Sequence, residues 1–183
     1  AAAWCERRGT STRLTMRMRI HALDEVRPPE RPAPGRFRLA EPEDLPFLKD
    51  WHLGFERDTH VPLLSHPDQI LGRIESRSVG LWEDGLPRAM ACAVGPSRNA
   101  IRIGGVYTPP QWRGRGYGSA VTAAISQLSL DRGYSTCVLY TDLANPTSNR
   151  IYAALGYVPV ADVVDLALEM DPARAGAGGP SEA

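Results

Sequence analysis

From residue 13 to 22 the chain alternates apolar Leu14, Met16, Met18, Ile20 and Ala22 with polar Arg13, Thr15, Arg17, Arg19 and His21. A period of two over this length predicts a strand with a basic outer face. Four prolines between Arg27 and Gly35 then break all periodicity and predict an extended linker. Beyond it Phe37 to Leu39 predicts a short strand, and Glu41-Pro42 opens a helix with Leu45, Leu48, Trp51 and Phe55 on its apolar face. A second helix is predicted over residues 65–76, around Ile70, Leu71 and Ile74. Apolar runs at 79–82 and 89–94 flank Glu83-Asp84-Gly85, which reads as a hairpin turn. The pattern continues as strand 100–108, helix 119–132, strand 135–141, helix 145–155 and strand 163–169. Residues 171–183 are polar and rich in Gly, Pro and Ala, and are expected to be a disordered tail.

At 183 residues the chain has the length of one domain. The expected organisation is an N-terminal extension over 1–26, a linker over 27–35, a single α/β domain over 36–170 and the tail over 171–183. The alternating segment needs a cover for its apolar face. Three readings of it stand open: the remnant of an upstream domain, a strand that pairs with a second copy, or an ordinary extension. Formal net charge is zero, which removes any bulk attraction to nucleic acid or an acidic membrane. There is neither an apolar run of 18 residues nor a signal-peptide core, so no membrane partner is expected. The cysteines number three, and Cys92 and Cys137 sit in apolar strand-like runs. Buried thiols in a reducing cytoplasm are therefore expected. His21, His52, His60 and His66 have no metal-ligand spacing, and no metal is assigned.

The chemistry is concentrated at Arg113-Gly114-Arg115-Gly116-Tyr117-Gly118-Ser119, between a strand-like run and a helical one. Glycines there let a ligand approach successive backbone N–H groups, and the start of the helix adds its unpaired amides and the positive end of its dipole. No Lys-Ser or Lys-Thr follows, which excludes a nucleoside-triphosphate loop, and the glycine spacing is not that of a dinucleotide fold. A second motif spans Asn145 to Tyr157. Asn145 suits an N-cap, Pro146 the first helical position and Gly156 the left-handed position past the end. Ile151 and Leu155 share one face of this helix, and Asn145, Ser148 and Tyr152 another.

Together these stretches resemble the GCN5-related N-acetyltransferase superfamily. Arg113, Gly116 and Gly118 match its Arg-x-x-Gly-x-Gly loop. A second register, Gln111-x-x-Gly114-x-Gly116, also matches; the first is preferred because the helix then begins directly after Gly118. Asn145, Ser148, Tyr152, Gly156 and Tyr157 match its C-terminal helix. The resemblance implies a mixed central sheet with a splayed central strand pair and flanking helices over residues 36–170. It implies acetyl-CoA as co-substrate, with the pyrophosphate on Arg113, Gly114, Arg115, Gly116, Tyr117, Gly118 and Ser119. Pantetheine would run along Val106, Tyr107 and Thr108 and past Asn145, with Gly104-Gly105 as a bulge, and Tyr152 would be the general acid. The run Tyr140 to Asn149 is closest to the branch resembling glycine N-acyltransferases.

One position departs from that pattern. Ile101-Arg102-Ile103 offers no glutamate as a base on the central strand, which leaves Glu56, Asp58 and His60 as candidates, each read first as a solvated loop residue. The expected activity is acyl transfer from acetyl-CoA to a primary amine of a small molecule or peptide, by direct attack in a ternary complex. The alternative is a module that holds acyl-CoA without turning it over. A nucleic-acid contact through the Arg-Gly run lacks a supporting basic patch.

Overall fold

The structure is a computed structural model that describes residues 10–63 and 66–170. Seven strands form one sheet: β1 (Thr10–Leu23), β2 (Arg36–Leu39), β3 (Val79–Asp84), β4 (Leu86–Val94), β5 (Ala100–Tyr107), β6 (Thr136–Asp142) and β7 (Val158–Met170). Four helices flank it: α1 (Leu45–Thr59), α2 (Pro67–Glu75), α3 (Tyr117–Asp131) and α4 (Pro146–Ala154). The strand order is β2-β3-β4-β5-β6-β1-β7, and only the β5–β6 pair is parallel. This is the expected mixed α/β sheet with flanking helices.

Side-chain alternation explains the layering. Ala89, Ala91 and Ala93 of β4 join Ile101 and Ile103 of β5 in one core with Val121 and Ile125 of α3. Met90 and Cys92, the intervening residues of β4, face the other way, into a core with Leu48 of α1 and Ile70 and Ile74 of α2. Leu48, Ile70 and Leu81 are fully buried, and each such side chain stabilises the fold by about 1.5–3 kcal/mol. Cys92 and Cys137 are buried free thiols, as their apolar surroundings in the sequence required. Cys5 and the expected tail lie outside the described residues.

The alternating segment forms its strand but is no appendage to a domain beginning at residue 36. β1 lies inside the sheet, antiparallel to both β6 and β7. Met18 to Leu23 pair with β6, and Thr10 to Ala22 pair with β7, so among the described strands β1 alone ties β7 to the rest. Leu23 is buried in the α3-side core, whereas Leu14, beyond the reach of β6, is exposed. Exposed Leu166 and Leu168 stand opposite Leu14 and Thr12 on this outer ribbon.

The proline-rich stretch is a packed strap. Arg27 N donates to Leu155 O at 2.9 Å, and Trp82 Nε1 donates to Pro34 O at 2.7 Å. Among the described residues no helix is long and apolar enough to cross a membrane.

Candidate functional site

β5 and β6 run together only from Ala100 to Arg102, against Thr136 to Val138. Beyond that the two strands part, opening a gap bordered by Ile103 to Tyr107 on one side and Leu139 to Asp142 on the other. The sequence accounts for part of this. Between its pairings with Cys92 and Met90 of β4, β5 carries one extra residue, and within that bulge Gly105 sits at φ +60°. A Cβ at Gly105 would come within 3.2 Å of Leu63, so the connection between α1 and α2 lies directly on the bulge. The bulge expected at Gly104-Gly105 is thus present. Of the residues expected to line it, Val106 and Thr108 are half-buried, but the Tyr107 side chain is buried against Trp51 and Gly54 of α1. Only the main chain of Tyr107 is left for a ligand.

The glycine loop leads from β5 into α3. Gly114 and Gly116 have φ of +75° and +84°, which L side chains rarely adopt. The helix starts at Tyr117 with Gly116 as its left-handed N-cap, earlier than the expected start after Gly118. A glycine without a side-chain cap suffices to begin it. Helix start therefore gives no preference for the Arg113 register, since a helix opening directly after Gly116 is what the Gln111 register requires. No side chain caps the helix and no acidic residue occupies its first turn, so the amides of Tyr117, Gly118 and Ser119 lack intrahelical acceptors. That is a cradle for an anion. The strap backs it from one side, with Ala33 Cβ and Arg31 O at 3.6 and 3.7 Å from where a Cβ of Gly116 would be.

Two side chains of the loop are turned to other work. Arg113 donates from Nε to Thr108 O at 2.9 Å and from Nη2 to Asp58, joining the end of α1 to the end of β5. The Tyr117 hydroxyl donates to Asp84 Oδ2 at 2.6 Å, and that bond holds its pKa above the ordinary value.

α4 follows β6 across the gap. Asn145 Oδ1 accepts from Ser148 N at 3.1 Å, as the N-cap reading predicted. Asn149 donates to the carbonyls of Asp142 and Asn145 and fixes the turn from β6; its role is set by a tertiary contact that the motif does not mark. Tyr152 packs edge-to-face on Tyr157 at 6.0 Å, in the same core cluster that Val106 touches. Tyr157 is anchored by a 2.8 Å hydrogen bond to Ser126. The Tyr152 hydroxyl makes no hydrogen bond to a described residue, and burial pushes its pKa up to about 12. It is a protonated donor without an acceptor.

Two of the three candidate bases have side-chain partners, and the third, His60, contributes its backbone to the end of α1. Glu56 Oε1 accepts from Leu63 N at 2.7 Å and holds the loop over Gly105. Asp58 is paired with Arg113, and His60 is the left-handed C-cap of α1 at φ 57°. His52 is wholly buried. Its Nδ1 bonds Leu48 O at 2.7 Å and burial lowers its pKa, so it is a neutral core histidine. No group of His, Cys, Asp or Glu among the described residues has the arrangement of a metal site.

Comparison with known proteins agrees with this geometry. Residues 78–163 match the model of a family described as FR47-like protein. No curated protein matches the chain. Among solved structures it is similar to an acetyltransferase from the GNAT family of Novosphingobium aromaticivorans, at 20% identity and a TM-score of 0.65, covering 88% of this chain and 68% of the other. A GCN5-related N-acetyltransferase from Kribbella flavida is 23% identical with a TM-score of 0.65, covering 90% of this chain and 62% of that one. A Mycobacterium tuberculosis protein, Rv2747, solved in complex with CoA, is 17% identical with a TM-score of 0.57, covering 69% of this chain and 73% of that one. The chain spans only 56% of a further such protein, from Sphaerobacter thermophilus. The sheet that parts at β5 and β6, with its flanking helices, is the fold of the GCN5-related N-acetyltransferases.

Proposed function

We propose that this chain is an acyl-CoA-dependent N-acyltransferase of the GCN5-related superfamily, transferring an acetyl group to a primary amine of a small molecule or peptide. The observation that carries the reading is the parting of β5 from β6 beside an uncapped, glycine-lined helix start. A thioester with a phosphorylated tail needs both features: unpaired strand edges for its amide-bearing arm and free amides for its pyrophosphate. The amides of Tyr117, Gly118 and Ser119 hold the phosphates, and Val106 to Thr108 offer main-chain groups to the arm. Acyl-CoA supplies an activated acyl group when bound. Tyr152, protonated at every working pH, donates its proton to the departing thiolate sulfur after direct attack by the amine in a ternary complex. With Glu56 and Asp58 engaged elsewhere, His60 or solvent takes the proton of the attacking amine.

The run Tyr140 to Asn149 supports assignment to the branch resembling glycine N-acyltransferases. Exposed Leu14, Leu166 and Leu168 on the outer β1–β7 ribbon support the contact with a second copy or an upstream domain expected through residues 1–26.

Calorimetry with acetyl-CoA tests the site. Gly118 has ordinary helical geometry, and a Cβ there meets only Thr108 Oγ1, at 3.4 Å. Gly118→Glu therefore leaves the fold intact, because an acidic residue in the first turn favours a helix, while its charge repels phosphate. The wild type is expected to bind and the variant not to; equal binding by both removes the assignment. Thiol release over a panel of amines decides turnover, and tight binding with no turnover on any amine leaves the non-catalytic module.

A further inference from the structure

At the end of the sheet away from the gap lies a cavity of about 510 Å³ that acyl transfer does not use. It is bounded by the end of α2, the approach to β3, the end of β4 and the end of α3. α3 runs over 15 residues from the glycine loop to Asp131, so at about 1.5 Å per residue the cavity lies about 20 Å from the phosphate cradle. The two places share no residue.

Two arginines stand on its wall, Arg73 from the last turn of α2 and Arg132 directly after α3. Arg132 is held by a 2.9 Å bond from Nη1 to Arg77 O. Neither has a carboxylate within ion-pair distance among the described residues. Arg73 is the sharper anomaly, because its Nη1 is buried and has no hydrogen-bond partner among those residues. The acidic group beside it, the Cys92 thiol, is pushed up to about 11 by burial and brings no negative charge. A buried cation left unpaired is costly, and an anion entering the cavity removes that cost.

The rest of the wall says which anion. Ala93, Val94 and Pro96 at the end of β4 and Ile101 of β5 are apolar, and the hydroxyls of Ser76 and Ser78 are already bonded to each other and to Arg73 O. An inorganic phosphate would leave that apolar surface facing water. The volume is that of a small-molecule site, for which about 300–1,000 Å³ is usual, and such sites join a mostly apolar wall to a few polar groups that orient the ligand. We propose that this cavity binds a small organic carboxylate, with its carboxylate on Arg73, its apolar body against Val94, Pro96 and Ile101, and Arg132 at the rim drawing it in. The site is separate from the acyl-CoA reading and does not depend on it.

Titration of the full chain with 3-phenylpropionate, 3-phenylpropionamide and inorganic phosphate, followed by nuclear magnetic resonance, tests the assignment, with thermal melts to confirm that variants fold. A hydrogen bond to a charged group changes affinity by about tenfold or more. The acid is therefore expected to bind saturably, about tenfold or more tightly than the amide, and more tightly than phosphate. Arg73→Met should weaken the acid by about tenfold or more and leave the amide within about twofold. Arg132→Gln should weaken the acid by about two- to fivefold, as loss of an exposed ion pair does. Saturating acetyl-CoA should not displace it. No saturable binding of the acid, equal binding of acid and amide, phosphate as tight as the acid, or displacement by acetyl-CoA each overturns the assignment. Arg132 is exposed and its replacement leaves the core untouched, so unchanged affinity in Arg132→Gln overturns it if Arg73→Met fails to fold. A chain that binds the acid as expected but not acetyl-CoA supports this site and overturns the acyl-CoA reading alone.

Discussion

The sheet is joined in opposite ways on the two sides of β6. On one side β6 meets β5 in parallel over only Ala100 to Arg102 and then leaves it. Beyond its other neighbour, β1 and β7 pair from Thr10 to Ala22, with two register shifts on the way. The first junction sacrifices backbone hydrogen bonds, which a fold tolerates only where another partner or water takes them up. The second junction carries a ladder broken only by two bulges, although much of it is exposed on its faces. The lesson is that backbone pairing here is unevenly distributed: withheld beside the glycine-lined start of α3, and concentrated where side-chain burial is poor.

Removing β1 breaks this comparison most severely. Deletion of residues 1–35 takes out the strand between β6 and β7 and leaves β7 with no neighbour. The truncated protein is expected to show no cooperative thermal unfolding and to aggregate; a soluble variant with a cooperative melt and intact acetyl-CoA affinity would mean that β1 is dispensable after all.

Tyr152→Phe acts on the open junction alone. It keeps the ring on Tyr157 and removes only the oxygen. Acetyl-CoA affinity should barely change while turnover falls by about 10²–10⁴-fold, since the lost proton transfer matters in the transition state. The pH profile sharpens this. With the hydroxyl raised to about 12, the acid form persists as pH rises and is lost only near that value. Turnover by the wild type should therefore hold between pH 8 and pH 10, set here as a range below the ordinary tyrosine value of about 10. A decline centred near 10 would place the hydroxyl in open water.

The smallest effect is expected at Asp58. Its pair with Arg113 is partly exposed, at 28% and 50% of the two side chains, so Asp58→Asn should cost about 0.5–1 kcal/mol in a thermal melt. Turnover should change by no more than a few-fold, because the Asp58 carboxylate is taken up by Arg113. A loss as large as that of Tyr152→Phe would make it the base.

Much of this was legible in the residues. The caps of α4, the glycines at the bulge and before α3, and the alternation of β1 are local signals, each enforced by one turn or one period. Partner choice was not legible. Alternation from Leu14 to Ala22 reports a strand with two unlike faces, but nothing in a period of two says which strands flank it. Arg113 illustrates the same limit: the loop's spacing suits it to phosphate, whereas its contact with Asp58 depends on where α1 ends in space. The strap at Gly116 hid for a related reason, since four prolines prescribe an extended path but no surface to follow. Early β7 residues were missed because Pro159 interrupts the run that begins at Val158; pairing with Ala22 and His21 of β1 overrides it.

The place of β1 also fixes the order in which the protein can be completed. Thr10 finds Met170 and Leu23 finds Cys137, so β1 waits for partners that are made much later along the chain. Closing so long a stretch of chain is slow, and through that interval the strand's apolar face has no cover. β2 to β5 with α1 to α3 can assemble earlier, from contacts nearer in sequence. Completion of the sheet is then the capture of the waiting strand between β6 and β7, and until it occurs β1 is exposed to aggregation and proteolysis.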